Sequence, residues 1–114
     1  MGQTIYIIDE FVAAPGKGKA LLAAYNQHYA PGAKARGMVL NRVIVSPPLW
    51  LDDGSNRLTI SWTVEGAGGW WGQAVQSRYD PTVGTFWPSI EPLIVSRVRH
   101  FGAAEADVAE ISHV

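Results

Sequence analysis

The sequence predicts an α+β domain in the order β-α-β-β-α-β, a four-stranded antiparallel sheet with helices on one face. Three observations lead there. Of four segments rich in β-branched and aromatic residues (4–12, 38–46, 57–65 and 93–101), the first and second, and the third and fourth, are separated by stretches that repeat at helical spacing. Turn formers fall between them: Pro15-Gly16, Pro31-Gly32, Pro47-Pro48 and the run Asp52-Asp53-Gly54-Ser55-Asn56. The chain has 114 residues, 47% hydrophobic and 17% charged, which suits one packed domain and argues against disorder.

Thr4 to Val12 is apolar on both alternating faces, so it reads as a strand covered on both sides. Lys17 to Tyr29 reads as a helix, with Leu21, Leu22, Tyr25, His28 and Tyr29 on one stripe, and Pro31-Gly32 stops it. Met38 to Ser46 is the second strand. Arg57 to Glu65 is the third, with Leu58, Ile60, Trp62 and Val64 on one face and Thr59, Ser61 and Thr63 on the other. These two form an antiparallel hairpin with an enlarged loop. After a glycine-rich entry (66–69), Trp70 to Tyr79 repeats at helical spacing. Asp80-Pro81 is an N-cap followed by a first-turn proline, opening a short helix with Val83, Phe86, Trp87 and Ile90. Leu93 to Phe101 is the fourth strand. The order is the ferredoxin-like, split βαβ pattern. It makes residues 1–102 a single domain and 103–114 an acidic tail, with Glu105, Asp107 and Glu110 and no Lys or Arg.

Composition removes several function classes. Nine Lys/Arg against ten Asp/Glu give a net charge of -1 with no basic tract, so no nucleic-acid partner is expected. No apolar run approaches the ~20 residues of a membrane span. The start, Met1-Gly2-Gln3-Thr4, lacks the features of a signal peptide, and the cytoplasm is the expected compartment. The absence of Cys excludes disulfides and thiolate sites. His28, His100 and His113 form no metal-binding spacing, so no metal is expected.

Candidate chemistry concentrates on few residues. His28 lies on the stripe that faces the sheet, where an imidazole can act as general acid or base. Asp9 and Glu10 are consecutive on a strand and point to opposite faces, so one of them faces the helices. A carboxylate bonded to one ring nitrogen would fix the tautomer of His28. His28, Asp9 and Glu10 are therefore the expected catalytic residues. The five Trp exceed ordinary usage, and Trp62, Tyr25, Trp71 and Phe86 are expected to wall a pocket for a flat, conjugated ligand. Arg97 and Arg99 share one face of the fourth strand. They either hold a carboxylate or enolate, or pair across strands. Leu49-Trp50-Leu51 places apolar side chains in a loop and reads as a dimer contact.

With Trp62 on the third strand and a Trp-rich helix directly after it, residues 4–101 resemble the dimeric α+β barrel superfamily. That group includes antibiotic-biosynthesis-type monooxygenases, polyketide cyclases and muconolactone-isomerase-like proteins. The resemblance implies a homodimer whose two sheets close face to face, and a pocket between sheet and helices in each subunit. Its polyketide-cyclase members often carry a His on a late strand or helix. His100 parallels that position and joins the ligand-contact candidates. Its haem-degrading members use an Asn on strand one, a Trp on strand three and a His on the second helix. Trp62 matches, but strand one here has Asp9 and Glu10 without Asn, and the second helix has no His. No cofactor is expected. The expected function is proton transfer (cyclisation, isomerisation or dehydration) on a small apolar aromatic or polyketide-like molecule. The alternatives are a cofactor-free monooxygenase and a non-catalytic ligand-binding barrel.

Overall fold

Strict alternation in the third strand decides which way the sheet faces. The computed structural model describes residues 3–111, so His113 lies outside the described residues. Strands β1 (Thr4–Ala13), β2 (Val39–Ser46), β3 (Arg57–Glu65) and β4 (Ile94–Ala103) form one antiparallel sheet in the order β2-β3-β1-β4. The fold is the ferredoxin-like α+β arrangement. Leu58, Ile60, Trp62 and Val64 are buried on the helix face beside Ile7, Phe11 and Ala13 of β1. Thr59, Ser61 and Thr63 share the other face with Tyr6, Ile8, Glu10 and Val12.

The first crossover differs from the sequence expectation. Helix α1 (Gly18–Ala24) runs into a π-helical turn, Tyr25–Tyr29, and then into α2 (Ala30–Ala35). Pro31 does not end the helix. It falls in the first turn of α2, where its missing N–H breaks no required bond. The π-turn, with its i→i+5 bonds, also changes the helical phase on which the stripe was drawn. Tyr25 and Tyr29 both point inward, while His28 is exposed. That phase slip overturns the expectation that His28 faces the sheet.

Further on, α3 (Gly66–Arg78) begins at the glycines themselves. Asp80 caps α4 (Pro81–Ser89) as expected, its Oδ1 accepting from the Thr82 backbone N–H at 2.9 Å. The tail forms α5 (Glu105–Ile111). Its Val108 and Ile111 join Ile5, Trp70 and Phe101 around a depression of about 270 Å³. Gly16 adopts φ +74°, and a Cβ there would collide with the Asp52 carbonyl, so the β1–α1 turn docks closely on the β2–β3 loop. Among the described residues, no helix is long and apolar enough to cross a membrane.

The core is aromatic at its centre. Phe11 packs edge-on against Tyr25 at 5.8 Å, and Tyr29 lies 5.5 Å from Phe86 and 5.1 Å from Trp87, centroid to centroid. Phe11 is fully buried. Phe11→Ala should therefore cost about 3–5 kcal/mol. Urea unfolding checks this: a loss below 1 kcal/mol would show that these rings do not carry the fold.

Candidate functional site

Asp9 sits on the central strand β1, facing the helices and fully buried. A carboxylate there must have its charge and lone pairs met. Arg99, its register partner on β4, meets both: Nε donates to Oδ1 at 2.6 Å and Nη2 donates to Oδ2 at 2.8 Å. The Tyr25 hydroxyl donates to Oδ2 at 2.7 Å and accepts from Trp62 Nε1 at 2.7 Å. Beyond Arg99 the chain continues. Its Nη2 also donates to the Tyr29 hydroxyl at 2.8 Å, and Arg36 Nη2 donates to the same oxygen at 3.4 Å. Arg36 Nη1 then pairs with Asp80 Oδ2 at 3.1 Å, at the cap of α4. Trp62, Tyr25, Asp9, Arg99, Tyr29, Arg36 and Asp80 thus form one continuous polar path through the aromatic core.

The electrostatics follow from burial and charge. Burial first, and the Asp9 charge second, push the Tyr25 phenol far above its usual range, so it remains a donor. Burial opposes the Arg99 charge, but hydrogen bonding to Asp9 and the attraction of its carboxylate outweigh that and raise the guanidinium's pKa. Arg97 moves the other way, through partial burial and then the charge of Arg99. Asp80 is held below the usual carboxylate range, chiefly by the Thr82 hydroxyl and N–H. Three polar groups stay unmatched among the described residues. Buried Arg36 Nε and Trp70 Nε1 have no partner, and the Tyr29 hydroxyl proton has no acceptor.

The path reaches the surface at β4, an edge strand. Arg97 and Arg99 share its helix face, as their spacing indicated. The Arg97 guanidinium lies 3.7 Å from the Trp87 ring centroid, and Arg99 lies 5.3 Å from those of Trp87 and Tyr29. The Arg99 side chain is 22% exposed.

The expected site residues are distributed differently. Asp9 and Glu10 do point to opposite faces, with Asp9 on the helix side. Neither carboxylate meets His28. Asp9 is taken by Arg99 and Tyr25, and Glu10 Oε2 lies 2.9 Å from His100 Nε2 on the open face. His28 instead borders a depression of about 380 Å³ with Thr82, Thr85, Phe86 and Ser89. The expected aromatic wall is filled rather than hollow. Tyr25, Trp62 and Phe86 are buried, with Tyr25 6.4 Å from Trp62 and 6.1 Å from Phe86, so their rings occupy the space a ligand would take. Trp71 is 61% exposed and lines nothing with them. His100 is on the opposite side of the sheet from Trp62. Sequence reasoning missed Tyr29, Arg36, Trp87 and Asp80 as parts of a polar site. Tyr29 was legible only as an apolar stripe residue, and Arg36 sat beyond a Pro-Gly pair read as a stop.

The fold has solved counterparts. A NIPSNAP family protein of unknown function from Agrobacterium tumefaciens superposes with a TM-score of 0.69 at 16% identity, over 90% of this chain and 89% of that one. A NIPSNAP domain protein from Burkholderia xenovorans gives 0.70 at 16% identity, over 90% and 95%. An antibiotic-biosynthesis monooxygenase-like protein from Chloroflexus aurantiacus gives 0.50 at 18% identity, over 89% and 92%. The chain shares their ferredoxin-like α+β fold, and identities this low speak to fold alone. No family model and no curated protein matches the chain.

The Tyr25 shift has a direct consequence. Its phenol titrates higher in the folded chain than its ordinary value of 10.0. The stability it contributes is thus fully present below pH 10 and is lost as pH rises beyond it. Alkaline unfolding of the wild type should be steeper with pH than that of Tyr25→Phe. Tyrosinate absorbance should show Tyr25 ionising only as the fold is lost; ionisation in the intact fold would contradict this.

Proposed function

We propose that the chain is a cofactor-independent enzyme that moves a proton on a small apolar aromatic or polyketide-like molecule, at the β4 end of the Asp9 path. Tyr29 carries this reading. Its oxygen accepts from Arg99 and Arg36, and its own proton is left without an acceptor among the described residues. A phenol held this way can donate to a substrate oxygen. The neighbouring guanidinium of Arg99 is placed to stabilise the enolate that forms when solvent water takes the proton from the adjacent carbon. Asp9 is a positioning residue, because both of its oxygens are already engaged. The π-turn that presents both tyrosines supports the reading, since such turns recur at functional sites. The acid–base role passes to Tyr29 because His28 is exposed and unbonded among the described residues. The filled aromatic interior favours one rival, a non-catalytic ligand-binding barrel.

Deuterium uptake separates the two. Aryl ketones and β-diketones incubated with the protein in heavy water should exchange their α-protons, followed by proton NMR. Tyr29→Phe should remain folded and slow that exchange by about 10²–10⁴-fold. Exchange at the buffer rate with wild-type protein would sink the enzyme reading, and full activity in the variant would remove Tyr29 from it.

The same proposal includes a homodimer. The helices cover one face of the sheet; the other presents Val39 (63% exposed), Ile44 and Val98, with Tyr6, Ile8 and Val12 half-buried among them. Leu49 and Trp50 add exposed apolar surface beyond β2. A two-fold partner closing on this face is the simplest cover. Light scattering at micromolar concentration should give twice 12.4 kDa. A clean monomer would count against the barrel.

A further inference from the structure

We propose that Arg97, flanked by Arg99 and seated on Trp87, is a subsite for the carboxylate of a small organic acid. The inference deepens the proposed function by naming the charge its substrate carries, and it rests on that reading for the apolar body attached to the carboxylate.

Charge matching is the first argument. Around Tyr29 and Trp87 stand three guanidinium groups, and two have carboxylate partners: Arg99 with Asp9 and Arg36 with Asp80. Arg97 has no hydrogen bond or ion pair among the described residues; its contact is the indole face. Asp9 is bonded to Arg99 and Tyr25 and makes no hydrogen bond to Arg97, which it attracts only at a distance. The cluster is therefore one positive charge in surplus, on a chain whose net charge is -1. A monoanion balances it, and a doubly charged phosphate would leave an excess.

Geometry is the second. At 3.7 Å from the ring centroid, the guanidinium lies over the indole. Stacking covers one face of the cation and leaves its N–H edges free, the presentation that a planar carboxylate accepts in two parallel bonds. Arg99 is two residues along on the same face, so its charge reinforces the site, and the same proximity lowers the Arg97 pKa.

The test compares 1-naphthoate with its neutral isostere 1-naphthamide, by calorimetry on the full chain. Naphthoate should bind about tenfold or more tightly, the discrimination expected of a charge-assisted pair. Arg97→Gln, an exposed substitution checked by circular dichroism, should abolish the preference. Arg97→Lys should restore only part of it, because an ammonium lacks the planar fork. Equal affinities, no binding of either compound, or a preference that survives in Arg97→Gln would each overturn the inference. Binding is read without turnover. A naphthoate preference beside failed proton exchange would therefore retire the catalytic reading and leave the subsite, and the reverse result would do the opposite.

Discussion

A carboxylate on the central strand with no access to water constrains everything around it. Desolvating an ion costs several kcal/mol even after the protein relaxes, and an ion pair returns that only with good geometry and satisfied lone pairs. Asp9 has both: the Arg99 fork and the Tyr25 hydroxyl. The pair also locks the sheet. Asp9 and Arg99 are opposite one another in the β1–β4 register, and a slip by one residue would turn one of them to the open face. In proteins generally, buried ion pairs are often neutral or worse for stability than hydrophobic replacements of similar volume. Stability therefore does not account for the choice of Asp9.

The π-turn follows from that constraint. Tyr25 must reach Asp9 from above, and Tyr29 must reach Arg99 on the next strand, so both hydroxyls have to descend from one short stretch of helix. Tyr25–Tyr29 achieves this with the two rings 5.0 Å apart. The helix then continues through Pro31 into α2, which delivers Arg36 to Tyr29 from the far side and to Asp80. A helix that ended at Pro31-Gly32 would leave Tyr29 with one guanidinium and the α4 cap without its cation. The irregular turn and the polar path are one feature seen twice.

Much of the fold was legible because it depends on local rules. Alternation over Arg57–Glu65 gave the buried face of β3, Asp80-Pro81 marked the start of α4, and a spacing of two put Arg97 and Arg99 on one face. What stayed hidden depends on phase and volume. A π-turn has no composition of its own, so the stripe drawn at regular spacing carried His28 inward when it lies outside. In α3, residues 66, 68, 69 and 72 are glycines, and the repeat of Trp70, Trp71, Ala74 and Val75 does not say which of the two adjacent indoles turns inward; Trp70 packs against the core and Trp71 is exposed. Whether aromatic residues line a pocket or fill it depends on how closely the elements approach. Here Tyr25, Trp62 and Phe86 fill it, which moves the candidate site from the interior to the β4 edge, where Arg97 and Trp87 meet the solvent.

The two faces of β1 and β4 put the same kinds of charge to different ends. On the helix face, Asp9 is fully buried against Arg99, and losing that partner leaves a carboxylate that water does not reach. On the open face, Glu10 and His100 sit 2.9 Å apart with nearly half of each side chain in water. Water and salt screen such a pair, and exposed pairs typically contribute about 0–1 kcal/mol. Consecutive residues on one strand thus differ by several kcal/mol in what their replacement costs, although the sequence shows only Asp followed by Glu. Arg99 and His100 repeat the contrast on the partner strand. Replacing Glu10 or His100 on the open face costs little by comparison. The chain cannot alter Asp9 without also replacing Arg99, and Arg99 is the residue through which Asp9 reaches Tyr29. The buried pair therefore ties the sheet register, the orientation of Tyr29 and the cationic edge into a single unit.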